Sequence, residues 1–173
     1  MRFPAISTGR LLQAGALFLL LFLSPLYTPF ARWHTDLAFE GTHALLNLFD
    51  AAPVAEGYTF FLANGLRLHV VTACNFLLPY GVFALPVLAS IRPLRSRLFW
   101  LIGGWGVFMG INMVRLTLIT LLSAYDRAWF DWSHDLLGRG ITILTVAGGV
   151  ILFFLAQTRP KDRDGCSPGH APE

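Results

Sequence analysis

Residues 98–122, LFWLIGGWGVFMGINMVRLTLITLL, form a continuous apolar stretch in which Arg115 is the one charged residue. An α-helix needs about 20 such residues to cross the hydrocarbon layer of a membrane. Residues 11–31, 70–91 and 136–156 meet the same requirement. The chain of 173 residues is 55% hydrophobic and 13% charged. We predict a single-domain, all-α integral membrane protein, a bundle of about four transmembrane helices.

The first apolar stretch also has features of a signal peptide, because Arg2 and Arg10 precede it. Residues 24–31, which follow the run, offer no good small-x-small site of the kind that signal peptidase cleaves. We therefore expect an uncleaved transmembrane helix.

Basic residues predict how the helices cross the membrane, since Lys and Arg accumulate in short cytoplasmic loops. The arrangement that places most of them in the cytoplasm also places both chain ends there. The cytoplasmic set is Arg2, Arg10, Arg92, Arg95, Arg97, Arg159, Lys161 and Arg163, against Arg32, Arg67 and Arg127 outside. The net charge of +3 follows from this topology and does not indicate nucleic-acid binding. Residues 159–173 are predicted to be a disordered cytoplasmic tail.

Residues 32–69 form the predicted extracytoplasmic segment. Residues 36–49 mix apolar and polar side chains in a pattern typical of an amphipathic helix lying on the membrane surface. Residues 58–63 and 66–71 flank Asn64-Gly65, a dipeptide that tolerates the positive φ angles of a tight turn. These residues predict a β-hairpin that leads directly into the second transmembrane helix.

Cys74 lies just below the outer surface in this topology, near the positive end of the dipole of helix 70–91. A thiolate is stabilised in such a position. The competing interpretation is structural, because a free cysteine often packs as a small hydrophobic residue. Cys166 falls on the opposite side of the membrane and so cannot form a disulfide with Cys74.

Arg115 is the second candidate, because an arginine inside a transmembrane helix costs at least about 2.5 kcal/mol and needs a partner or a use. Asn112 lies one turn earlier on the same helix face. The alternative is that Arg115 extends to the outer interface and only anchors the helix there.

His134 is the third candidate, at the predicted start of the fourth helix with Ser133 as its N-cap. A helix N-terminus favours the neutral imidazole, which can act as a base. His69 is the competing histidine because it is close to Cys74 in sequence, whereas His34 and His43 are more remote.

The order Val70-Val71-Thr72-Ala73-Cys74, then Asn112-Met113-Val114-Arg115, then His134 resembles the exosortase/archaeosortase family of membrane-embedded cysteine transpeptidases. The resemblance covers roughly residues 56–156. It implies that Cys74 is the nucleophile, that Arg115 and His134 are the other catalytic residues, and that Asn112 and Asn75 support them. The family usually has a small residue and then Gly after the nucleophile, where this chain has Asn75 and Phe76.

The resemblance also implies substrates and a location. Family members act outside the cytoplasmic membrane on exported proteins that end in a short motif, a transmembrane helix and a basic cluster, such as the PEP-CTERM tail. The expected reaction passes through a thioester and needs no cofactor or metal. Membrane lipid is the other expected partner, and nucleic acid is not expected.

Other functions remain open from the residues alone. The main alternative is a non-enzymatic membrane assembly or sensor subunit, in which Arg115 pairs structurally with Asp131 or Asp135. A haem-binding bundle would need histidines within the spans, and a zinc site would need ligand spacings that the chain does not show.

Overall fold

The computed structural model describes residues 8–71, 74 and 76–158, and most of them are helical. The helices are α1 (Thr8–Leu23), α2 (Tyr27–Leu48), α3 (Leu77–Ala89), α4 (Leu94–Tyr125), α5 (Trp129–Trp132) and α6 (Gly138–Thr158). A π-helical segment, Ser133–Leu137, joins α5 to α6, and the strands are β1 (Val54–Glu56), β2 (Thr59–Phe61) and β3 (Arg67–His69).

The first predicted span is a bent pair of helices, because α1 and α2 meet at an angle of 84°. The Ser24 N–H and hydroxyl both donate to the Leu21 carbonyl, at 3.2 and 2.7 Å, and Pro25 has no N–H with which to continue the helix. The amphipathic helix predicted over 36–49 is the second half of α2 and not a separate element.

Two continuous helices are long and apolar enough to cross a membrane: α4, and the helical stretch Trp129–Gln157 that contains α6. The bent α1–α2 pair would be a third if it counts as one span. The predicted span 70–91 contains the 13-residue helix α3, which is shorter than expected because the sheet extends to His69 and the helix starts at Leu77. The chain therefore has two or three candidate spans, and the four-helix bundle and its orientation stay predictions.

The predicted hairpin is confirmed: β2 and β3 pair antiparallel, with Thr59 opposite His69 and Phe61 opposite Arg67. Gly65 in the turn has φ of 82°, a conformation that glycine adopts without steric cost. β1 pairs with the other edge of β2, and this third strand was not predicted.

The sheet is fixed to the helices at both ends. The Asn64 side-chain N–H donates to the Ser123 carbonyl near the end of α4, at 2.6 Å. On the other side the Phe60 ring stacks on Phe39 of α2, with centroids 4.5 Å apart.

Two apolar clusters form the core, and the Cys74 segment lies where they meet. The first joins α2, the sheet and α4, and the half-buried Cys74 packs against it. The second joins α3, α4 and α6 around Phe76, Phe83, Phe108 and Phe153. Because α4 contributes to both clusters, it holds the sheet and α3 in a fixed relation.

Candidate active site

Cys74 comes after the last strand, which ends at His69, and lies in a turn, where its N–H donates to the Val71 carbonyl at 2.8 Å. The next helix begins at Leu77, three residues later. Cys74 is therefore near the N-terminal end of α3, as predicted, but outside the helix. Asn75, the predicted supporting residue beside it, lies outside the described residues, as does Cys166.

Arg115 is buried in α4, with 6% of its surface exposed. Its Nη1 donates to Asn112 Oδ1 at 3.1 Å, and Asn112 is fully buried. The two residues share a face as predicted. The guanidinium is therefore packed inside the protein and not on its surface.

The guanidinium of Arg115 lies between three elements. Its central carbon is 5.2 Å from the centroid of the Phe76 ring. A Cβ built on Gly138 at the start of α6 would stand 3.9 Å from Nε and Nη2, and Arg115 lines the same cavity as Cys74. Charge interactions are strong at such a site because little water screens them.

No carboxylate neutralises Arg115 among the described residues. Asp135 instead forms an ion pair with Arg139, at 3.1 Å, and one of its oxygens lies 3.8 Å from Nδ1 of His134. The pairing of Arg115 with Asp131 or Asp135 that a structural role predicts is therefore not observed. Nε of Arg115 is also buried without an acceptor from the described part of the chain.

His134 lies within the π-helical segment and is half-exposed. The prediction that Ser133 caps a new helix is wrong, because the helical stretch already begins at Trp129 and the Ser133 hydroxyl donates backwards to the Phe130 carbonyl at 3.1 Å. Short π-helical segments occur frequently at functional sites, where the extra residue per turn redirects side chains.

Two adjoining cavities bring the three predicted residues together. Cys74, Arg115 and His134 line a cavity of about 160 Å³ that β3 and α4 also wall, with Leu68 and Thr120 in its lining. The same three residues line a second cavity, of about 550 Å³, between α3 and α6. The thiol, the guanidinium and the imidazole thus border one shared space.

The other histidines differ in position. His69 lines the smaller cavity but not the larger one. Its Nδ1 is 2.9 Å from the Thr59 hydroxyl across the hairpin. His34 packs against Trp105 and His43 against Phe60, with centroids 6.2 and 6.1 Å apart, and neither histidine lines either cavity.

Sequence reasoning missed Phe76 and Gly138, which both lie against Arg115. Gly138 follows His134 by one helical turn, and this spacing could have indicated it. Phe76 could have been found only from its place two residues after Cys74. The described residues contain no cluster of three or more His, Cys, Asp or Glu that could hold a metal ion.

A thiol beside a cation and an imidazole can form and use a nucleophilic thiolate, the chemistry of acyl transfer. Comparison with known proteins gives one match, and it is to a family of membrane proteins. The sequence profile of the transmembrane exosortases matches residues 7–155. No curated protein and no solved structure matches the chain.

Proposed function

Because this chain belongs to the transmembrane exosortase family, we propose that it is a membrane-embedded cysteine transpeptidase or protease. It cleaves the C-terminal sorting tails of exported proteins on the extracytoplasmic side of the cytoplasmic membrane. The observation that carries the proposal is that Cys74, Arg115 and His134 line the same two cavities. Each of these side chains has a distinct part in acyl transfer.

Cys74 is the nucleophile in this mechanism. His134 takes the thiol proton, and the sulfur attacks the carbonyl carbon of the scissile peptide bond to form a tetrahedral oxyanion. When the oxyanion collapses, the C–N bond breaks and His134 gives its proton to the leaving amine. The sorting tail departs and the protein remains on Cys74 as a thioester.

The second half of the reaction reverses these steps. An acceptor amine or water loses a proton to His134 and attacks the thioester carbonyl, and the Cys74 thiolate leaves. An amine gives a transpeptidation product, whereas water gives a free carboxylate.

Arg115 supplies the positive charge. Asn112 holds Nη1 at 3.1 Å, so the planar guanidinium keeps its orientation when the negative charge moves from sulfur to the oxyanion. A donor fixed in advance near a developing charge is the most effective electrostatic form of catalysis.

The competing function is a non-enzymatic membrane subunit in which Arg115 is structural. Replacement of Cys74 by Ser separates the two, since serine is nearly isosteric but a much weaker nucleophile. The substrate used in this test is an exported protein from the same genome whose C-terminus carries a short motif, a transmembrane helix and a basic cluster.

We expect Cys74→Ser to accumulate normally in the membrane and to lower the processing rate at least about 100-fold. The matched control is Cys166→Ser, which should process at the parental rate. Product release and enzyme level are measured by immunoblotting. Parental processing by Cys74→Ser would refute the enzymatic proposal.

His134 and His69 are tested against each other in the same assay. His134→Ala should abolish processing, because both proton transfers pass through this ring. His69→Ala should retain substantial processing, since its loss mainly removes the contact with Thr59 across the hairpin. If His134→Ala matches the parent, His134 is not the acid and base.

A further inference from the structure

The larger site cavity continues into a groove between α3 and α6. Pro79, Thr142 and Ile143 line both this cavity and an adjoining one of about 390 Å³. The adjoining cavity is lined further by Leu78, Val82, Val146 and Ala147. Cys74 is thus at one end of an open, continuous groove along two helices, which we call the α3–α6 groove.

The walls of the α3–α6 groove are apolar. Thr142 is its polar lining residue beyond the site cavity, and the Thr142 hydroxyl donates to the Gly138 carbonyl at 2.6 Å. That hydroxyl needs no partner in the groove. An occupant without polar groups fits such walls, since it loses no hydrogen bond to water on entry.

The groove is elongated and has a closed end. From Gly138 to Ala147 it follows α6 for about 14 Å at 1.5 Å per residue. Beyond Ala147 the two helices pack tightly, because a Cβ on Gly149 would stand 3.1 Å from the Phe83 ring.

α6 also has a large surface without a protein neighbour. In its most apolar 18-residue window 6% of the residues are buried, compared with 50% for α4. A helix of this composition needs lipid or another helix against it.

We propose that the α3–α6 groove holds the apolar helix that follows the scissile peptide bond of the substrate. This inference rests on the proposed function, because a tail helix is an occupant that is covalently joined to the peptide at Cys74. The groove is continuous with the catalytic cavity, so one chain fills both. A lipid chain or a second copy of the protein has no such connection.

Docking in the groove gives the helix a role in catalysis. Contacts far from the scissile bond hold the carbonyl near the thiol, which converts binding energy into correct orientation. Cleavage then separates the tail helix from the protein that remains on Cys74, and the tail leaves the groove sideways into the bilayer.

Site-specific photocrosslinking tests the position. A photoreactive amino acid replaces Val146 in the groove or, as a control, the neighbouring Leu144, which is 73% exposed and lines neither cavity. Both variants carry Cys74→Ala so that the substrate stays intact, and the probe is the tailed protein that the parental enzyme processes. We expect crosslinks to the tail helix from position 146 at least fivefold above those from position 144.

Groove-filling variants test the consequence. Ala147→Trp should lower the processing rate at least tenfold through a raised KM, while Leu144→Trp should leave it within twofold of the parent. Equal labelling of Cys74 by a small alkylating reagent in both variants shows that the site itself is intact. If Ala147→Trp does not accumulate in the membrane, the crosslinking experiment alone decides whether the α3–α6 groove holds the substrate helix.

The outcomes separate the two proposals. If the parent releases no product from the tailed protein, the proposed function fails and this inference fails with it. If the parent does release product but crosslinks from position 146 are absent, no stronger than from 144, or directed to a second copy of the chain, the groove assignment alone is wrong.

Discussion

Phe76 has φ of 58°, a left-handed conformation that favours glycine and costs other residues about 1–2 kcal/mol. This is the position where the exosortases that the sequence resembles usually carry Gly. The phenylalanine compensates through its ring, which is 2% exposed and lies 5.2 Å from the Arg115 guanidinium. The backbone shape thus stays as a glycine would have it, and the side chain adds a wall to the site.

One prediction distinguishes the effect of the Phe76 backbone conformation from the effect of its aromatic ring. Phe76→Gly relieves the left-handed strain and Phe76→Ala does not, so the glycine variant should be the more stable of the two by about 1 kcal/mol. Both lose the ring over Arg115 and should process more slowly than the parent, by similar factors. Thermal unfolding in detergent and the processing assay measure the two effects. An alanine variant more stable than the glycine variant would contradict the strain argument.

A second prediction concerns Arg115. Arg115→Lys keeps the charge but loses the planar guanidinium, which can bind Asn112 and a substrate oxygen at the same time. We expect normal membrane accumulation and a loss of most processing. Arg115→Gln removes the charge, so alkylation of Cys74 at fixed neutral pH should also slow. Processing at the parental rate in Arg115→Lys, with unchanged alkylation in Arg115→Gln, would make Arg115 a structural residue.

Arg115 and Asn112 could be proposed from the sequence because they interrupt an apolar helix, and Cys74 and His134 because the predicted topology places them at the outer ends of helices. Phe76 and Gly138 were not proposed as site residues, because an aromatic or small residue in an apolar chain does not stand out and only their spacing from Cys74 and His134 could have indicated them. Both residues matter because they lie against the Arg115 guanidinium, and that position depends on how the helices pack.

At the level of elements, the turn at Asn64-Gly65 was predicted with its strands because the dipeptide restricts the backbone locally. Helix boundaries were less predictable. Continuous hydrophobicity over 70–91 concealed the late start of α3 at Leu77, since apolar residues suit a buried turn as well as a helix. The third strand, Val54–Glu56, is short and exposed and carries little pattern of its own.

Asn64 connects the hairpin to α4, and its removal gives a third prediction. Its side chain donates to the Ser123 carbonyl at 2.6 Å and accepts from the Leu66 N–H at 3.1 Å. Asn64→Ala should lower stability by about 1–2 kcal/mol and reduce processing less than the catalytic variants do. Asn47→Ala, on a helix away from the turn, is the control. Unchanged stability in Asn64→Ala would show that the hairpin is held by Phe60 and its neighbours alone.

For the whole molecule, composition was enough to predict a helical membrane protein, and the family match agrees with it. The number of spans was not predictable, because hydrophobic length does not reveal a bend such as the one of 84° between α1 and α2. Orientation rests on the distribution of Lys and Arg along the sequence.

Thiol labelling gives the fourth prediction and checks that orientation. In intact spheroplasts, a small membrane-impermeant thiol reagent should label Cys74, which borders the open cavities, and leave Cys166 unlabelled until the membrane is opened. Single-cysteine variants measured by mass shift report each site separately. The reverse pattern would place the proposed active site in the cytoplasm and overturn the extracytoplasmic assignment.

The 13 residues of α3 rise about 20 Å, roughly 10 Å less than the hydrocarbon thickness of a bilayer. The 32 residues of α4 rise about 48 Å at the same pitch. In the predicted topology α3 lies beside α4 in the bilayer, so we expect hydrophobic mismatch on this flank of the protein, with acyl chains that shorten or tilt to match the shorter helix. An indented leaflet at the end of α3 next to Cys74 would let water and the peptide of a membrane-anchored substrate meet the thiol at a depth that an undeformed leaflet keeps dry.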